Sequence, residues 1–177
     1  MIHLVFDTET TGLLMNSAVD VKRQPKVIEA CLLSFNDKGK IVSKVDELIY
    51  PGEPISEKIT AITNITNDDL KGKPPFKAVA PKIVAAIEKA DVVVAHNLTF
   101  DMSMIDNELK RIGQKVKWPK RRICTVEQTQ HLKGFNLNLG LLHEHLFGAP
   151  HEGAHRAEAD VMALARCYFE LIKKGEL

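Results

Sequence analysis

Cysteine is sparse in this chain, and none of it is arranged to bind metal or to staple a small fold. The three cysteines, Cys31, Cys124 and Cys167, lie far apart, show no CxxC spacing and are odd in number. They are expected as reduced thiols in the core. Net charge is nearly absent as well, with 24 Lys and Arg against 23 Asp and Glu. An anionic partner must then be held by local features and not by a global basic field. The N-terminus carries no basic leader with an apolar run of signal-peptide length, and no segment is apolar enough to span a bilayer. The expectation is a cytoplasmic protein with no membrane partner. Internal repeats, low-complexity tracts and linkers are missing too. What remains is 177 residues of ordinary apolar content, enough for a single domain over 1–177 with a substantial core.

"IHLVFD" opens the chain as a buried strand, and "TETTGLLMNSAVDVKRQP" then loses periodicity and reads as a loop ending at Pro25. "KVIEACLLSFN" and "KIVSKVDELIYP" flank "DKG", which predicts a hairpin. "PISEKITAITNITNDDLKGKPPF" suggests short helical turns. "FKAVAPKIVAAIEKA" has helical spacing, with Pro81 expected in or near the first turn. "DVVVAHN" is a buried strand, and "FDMSMIDNELKRIG" an amphipathic helix stopped by Gly113. A short strand running into a helix, and two further helices, complete the order. Strands first, then alternation, then helices predict an α/β domain with a mixed central sheet flanked by helices.

Three stretches carry chemistry. In "FDTET", strand alternation puts Asp7 and Glu9 on one face, roughly 6–7 Å apart, at the strand end where open α/β sheets place ligands. Two such carboxylates repel unless a cation sits between them, and Mg²⁺ or Mn²⁺ suits oxygen donors. An acidic strand end on the surface is the plainer reading. In "VVVAHNLTFD", His96 and Asn97 end a second core strand, and Asp101 starts the next helix, where it also suits the helix dipole. In "GAHRAEAD", His155 and Asp160 are five positions apart, so a continuous helix would leave them about 140° apart. If the helix starts near Arg156, His155 belongs to a loop and can swing toward Asp160. Four carboxylates and one histidine form the set that two-metal phosphoryl chemistry requires.

Together "DTETTGL", "HNLTFD" and "AHRAEAD" resemble the three motifs of the DEDDh (DnaQ-like) 3′–5′ exonucleases, which include bacterial polymerase proofreading subunits. The match runs in order along nearly the whole chain. "KVIEACLLSF" resembles the family's second strand. The resemblance implies a ribonuclease H-like fold in which Asp7, Glu9, Asp101 and Asp160 bind two Mg²⁺ or Mn²⁺ ions. His155 would be the general base. Thr10, Thr11 and Leu13 would hold the 3′-terminal nucleotide, with Leu13 against the last base, and Phe100 would support the terminal nucleotides. His96 and Asn97 would contact substrate or stand behind the metal ligands. Thr63 would lie near the terminal nucleotide. The implied activity is hydrolysis of single-stranded or frayed DNA 3′ ends to 5′-mononucleotides. An exoribonuclease of the same family, or a silent nucleic-acid-binding module, is the alternative.

The chain departs from the family in places. Thr63 and Asn64 replace the commoner His-Gly, and Asn64 can still adopt the left-handed conformation. The loop from Leu14 to Pro25 is longer than usual. "KVKWPKRR" could hold upstream phosphates or be a solvated basic loop. Four histidines in "HEHLFGAPHEGAH" lack the cysteine usual in structural zinc sites. Glu29 is read either as support for the acidic site or as a buried, hydrogen-bonded glutamate. The chain stops soon after its last helix, so standalone action, or docking on a polymerase partner through a surface patch, is expected over tethered proofreading.

Overall fold

The sheet is built on β1 (Ile2–Thr10), whose sequence IHLVFDTET is apolar until its last four residues. In the computed structural model, which describes residues 1–153 and 155–177, β1 is the middle strand of five. The order is β3-β2-β1-β4-β5. β2 (Val27–Asn36) and β3 (Ile41–Leu48) form the expected hairpin, with Gly39 at φ 72° in its turn. β1 pairs antiparallel with β2 and parallel with β4 (Val92–Ala95), and β4 pairs parallel with β5 (Arg121–Cys124). The predicted mixed sheet is therefore present, in the arrangement of ribonuclease H-like folds.

Helices cover both faces. α1 (Glu57–Thr63) and α2 (Asn67–Leu70) are the short turns of the connecting excursion. Asn64 ends α1 at φ 57°, so it does take the left-handed conformation. α3 (Phe76–Lys89) and α4 (Leu98–Arg111) pack over Leu4, Phe6, Leu32 and Val93 through Val79, Ile83, Met104 and Ile105. α5 (Thr125–Gln128) continues directly from β5, and α6 (Leu139–Phe147) follows. α7 (Ala157–Lys174) lies on the opposite face, with Val161, Leu164 and Tyr168 against Val5, Leu33 and Val94. All three cysteines are free and buried, as expected. Among the described residues no helix is long and apolar enough to cross a membrane.

Two expectations change. The Leu14–Pro25 segment contains a 3₁₀ turn at Val21–Arg23 and is pinned to the end of α4. Arg111 donates to the carbonyls of Val21 (3.0 Å), Gln24 (2.6 Å) and Pro25 (2.9 Å). Pro81 lies inside α3, in its second turn and not its first. The helix tolerates it because Pro81 and Lys77, whose carbonyl loses its usual donor, both sit on the exposed side, where water replaces the missing bond. Pro81→Ala restores that donor and is expected to stabilise the fold by about 1–2 kcal/mol after the gain in unfolded-chain entropy is subtracted. A thermal melt should move upward by a few degrees; an unchanged or lower midpoint would mean the proline is not a weak point.

Candidate active site

Alternation along β1 decides which side chains meet. Leu4 and Phe6 belong to the core under α3 and α4, and Val5 to the core under α7. Asp7 and Glu9 continue the Val5 series, so both carboxylates stand on the α7 face. There they meet Asp160, in the first turn of α7. One oxygen from each of Asp7, Glu9 and Asp160 lies within 4.8 Å of the other two.

Asp101 arrives by a different route. β4 ends at Ala95, and its register with β1 runs from His3↔Val92 to Val5↔Val94. The final residues of β1 thus have no strand on that side. The Thr8 N–H donates instead to Asp101 Oδ1 (3.0 Å), and the Thr8 hydroxyl donates to the same oxygen (2.7 Å). Asp101, buried at 2% exposure, replaces a missing ladder acceptor. Its charge also reaches Asp7, where it is the leading electrostatic influence after burial itself.

Glu29 organises the remaining side. It stands directly across from Glu9 in the β1–β2 ladder, a like-charge pairing that is unfavourable by itself. Arg156 donates to Glu29 through Nη2 (2.9 Å) and Nε (3.3 Å), and the Ala157 N–H donates to Oε2 (2.9 Å). α7 has no side-chain cap of its own, so Glu29 caps it from a neighbouring strand. Both readings of Glu29 hold at once: it is buried and hydrogen-bonded, and that bonding places Asp160.

Burial, then the surrounding carboxylates, pushes Asp7 well above the usual carboxylate range, and the same causes raise Glu9 to about 8. Burial also raises Asp101. The nearby guanidinium of Arg156 is already taken by Glu29. An all-oxygen donor set that resists ionisation for want of positive charge fits a hard divalent cation.

The other predicted residues fall into distinct places. His155 lies in a turn ahead of α7, as expected, at φ 68° and with its side chain exposed. Its backbone N–H, not its ring, touches Asp160, donating to Oδ2 (2.9 Å). The imidazole that does reach Asp160 is His151, through Nε2 to Oδ1 at 2.6 Å, a contact that sequence spacing gave no means of finding. The Thr10 hydroxyl donates to the Gly12 carbonyl (2.8 Å), and the Thr11 hydroxyl accepts from the Lys26 N–H (2.9 Å). These bonds brace the turn that thrusts Leu13 into solvent at 82% exposure. Asn97 is exposed, with φ 77°, at the start of α4, and Phe100 packs partly buried on the α3–α4 core.

Two further predicted residues have internal hydrogen-bond partners. Thr63 is buried, its hydroxyl donating to the Ile59 carbonyl (2.9 Å) and accepting from the Ile65 N–H (3.2 Å). It therefore finishes α1, with its one hydroxyl proton already used. His96 uses both ring nitrogens internally, on the Thr125 hydroxyl (2.9 Å) and the Leu137 carbonyl (3.0 Å). Burial lowers its pKa to about 4, so it is a neutral strut between β4 and the following loops. The basic loop, 115–122, leads into β5. The register His3↔Val92↔Arg121 puts its exit at the opposite end of the sheet, roughly 13 Å along β1 from Asp7. Trp118 of the same loop reaches further along β1, stacking on Phe6 on the face opposite Asp7 and donating to Asp106 (2.9 Å).

Comparison with known proteins agrees with this geometry. Residues 4–168 match the RNase T exonuclease family. Among curated relatives, the PolC-type DNA polymerase III of Streptococcus suis is 33% identical over 173 residues, which cover 97% of this chain and 11% of that protein. The Clostridium perfringens PolC-type polymerase is 31% identical over 163 residues, covering 92% of this chain and 11% of its own length. The chain thus spans about a tenth of these relatives. Among solved structures, exonuclease X in complex with 5′ overhanging duplex DNA aligns with TM-score 0.65 and 24% identity, over 98% of this chain and 93% of that one. The nuclease domain of 3′hExo, a DEDDh family member bound to rAMP, aligns with TM-score 0.75 and 17% identity, over 98% and 92%.

The raised acids make a pH prediction. Between the ordinary glutamate value of 4.5 and about 8, the folded protein binds more protons at Glu9 than the unfolded chain does. Its contribution to stability therefore falls as pH rises through that window. In chelator, the melting temperature should drop between about pH 5 and pH 8.5, and drop less in Glu9→Gln. Mn²⁺ should restore most at the alkaline end. Parallel pH slopes for the two chelated proteins would show that the carboxylates do not strain one another.

Proposed function

The chain belongs to the RNase T exonuclease family, and from that premise we propose that it hydrolyses DNA 3′ ends, single-stranded or frayed, releasing 5′-mononucleotides. The observation that carries the reading is the meeting of Asp7, Glu9 and Asp160 oxygens from two separate elements within 4.8 Å, with Asp101 beside them. These four carboxylates would hold two Mg²⁺ or Mn²⁺ ions. When bound, the ions lower the pKa of a water and stabilise the departing oxygen. His155 takes the proton from the attacking water, its loop position allowing the ring to approach once a phosphodiester is in place. Water oxygen bonds to phosphorus, the bond from phosphorus to the 3′ oxygen breaks, and that oxygen takes a proton from solvent water to become the 3′ hydroxyl of the shortened strand. Thr10, Thr11 and Leu13 position the terminal nucleotide, with Leu13 free to lie against the last base. Asn97 and Phe100 contact the nucleotides that follow. The similarity to PolC-type polymerases favours DNA and a replicative, cytoplasmic setting with a polymerase as partner.

The second reading is an exoribonuclease, favoured by the similarity to structures described as bound to rAMP or recognising a histone mRNA stem-loop. Both readings share the backbone chemistry and differ in the treatment of the 2′-hydroxyl. A silent binding module is disfavoured because every acidic position and the histidine are present.

End-labelled single-stranded DNA and RNA of one sequence, digested side by side with Mg²⁺ or Mn²⁺, test the proposal. Faster shortening of DNA from its 3′ end is expected, with 5′-mononucleotides as product. Asp7→Ala and Asp160→Ala should abolish it while retaining the fold by circular dichroism. His155→Ala should lower kcat by about 10²–10⁴-fold, the usual scale for a general base. Full activity in either aspartate variant would sink the nuclease site, and faster RNA digestion would replace the DNA reading with the second.

A further inference from the structure

Two histidines bracket Asp160, and only one has a role so far. His151 approaches from the loop after α6, and its Nε2 lies 2.6 Å from Asp160 Oδ1. Its side chain is 8% exposed and that of Asp160 14%, so the contact is shielded from competing water. The ring is held from behind. His143 lies 5.9 Å from it, centroid to centroid, and is itself fixed through Nδ1 to the Ala149 carbonyl (2.7 Å) and against Phe147. The other ring nitrogen, Nδ1, is buried with no hydrogen-bond partner. Leaving such an atom unsatisfied costs free energy, and the contact at Nε2 offsets it. The backbone is shaped for the same end. Gly153, at φ 73°, sits where a Cβ would come within 3.2 Å of Ala159 Cβ, so a side chain there would be strained and would crowd α7.

We propose that His151 is a positioning residue for the metal site, its Nε2–H fixing the Asp160 carboxylate in the orientation that presents it to Asp7 and Glu9. Each Asp160 oxygen then receives one donor, the His151 ring on Oδ1 and the His155 N–H on Oδ2. Each keeps a lone pair for a cation. Without the ring, the carboxylate turns about its own bonds and must be ordered at the moment of metal binding. Outer-sphere donors of this kind are typically worth 10- to 100-fold in metal affinity. The inference rests on the metal-dependent reading above and divides the labour of the two histidines: His151 acts on metal occupancy, His155 on turnover.

The test measures Mn²⁺ binding to the nucleic-acid-free protein by calorimetry, in wild type, His151→Leu and His151→Gln. Leucine keeps an apolar filler without a donor, whereas glutamine keeps an N–H near the position of Nε2. His151→Leu should weaken Mn²⁺ binding by about 10- to 100-fold and raise the Mn²⁺ concentration for half-maximal digestion by the same factor. At saturating Mn²⁺ its kcat should return to near wild type. His151→Gln should recover most of the binding. Unchanged Mn²⁺ affinity in His151→Leu, or equal loss in both variants, would overturn the proposal, since the second result assigns the effect to packing. Because binding is read directly, a wild type that binds Mn²⁺ yet cuts no nucleic acid would reject the nuclease reading and leave the role of His151 to be decided by the same titrations.

Discussion

Glu29 accepts hydrogen bonds from Arg156 and from the first amide of α7, and the site depends on that one carboxylate. Asp160 is useful only if α7 begins where it does, within reach of the end of β1. The helix has no cap of its own to define that beginning. Glu29 supplies the definition from β2, on a strand whose register against β1 is held by a long antiparallel ladder. The same bonds draw the charge of Glu29 toward Arg156, which lets it stand opposite Glu9. Without the Glu29 carboxylate the buried Ala157 amide would lose its acceptor, and the helix start that places Asp160 would lose its definition.

The acidic cluster is poised and not relaxed. Asp7, Glu9 and Asp101 all resist ionisation chiefly through burial, and Asp7 and Glu9 also through the carboxylates around them. The loop that follows carries strain of its own, since His155 occupies a left-handed conformation that residues with a Cβ seldom adopt. The Asp160 carboxylate offsets that cost by accepting the His155 N–H. Asp160 is therefore both the cluster's third acid and the anchor of the loop bearing the histidine, which ties strain in one to charge in the other.

What the sequence made legible was what local periodicity controls. Alternation in "FDTET" put Asp7 and Glu9 on one face, and the interval in "AHRAEAD" separated a loop histidine from a helical aspartate. The family resemblance anticipated the fold and the grouping of Asp7, Glu9 and Asp160, with Asp101 arriving from the opposite face. Contacts set by tertiary closure were illegible. His151 approaches Asp160 from nine positions back, ahead of the start of α7, and the hold of Arg111 on Val21–Pro25 joins segments about 90 residues apart. The partners of Thr63 and His96 were equally hidden, since the Thr63 hydroxyl turns back on its own helix and both partners of His96 come from later in the chain. Pro81 shows the limit of a local rule: its cost depends on which helix face it occupies.

The shortness of β4 makes strand length itself a functional quantity. β1 outruns its parallel neighbour, and the uncovered stretch holds Asp7, Glu9 and the Thr8 amide that Asp101 satisfies. Were β4 to continue for another pair of residues, its carbonyls would occupy the place of the Asp101 carboxylate, and the start of α4 would move outward. All four acids would still be found in the sequence, and Asp101 would no longer stand beside the other three. The interval between "VVVA" and "FD" is therefore as much a part of the chemistry as the acids it separates, and insertions there are predicted to be tolerated by the fold before they are tolerated by the site.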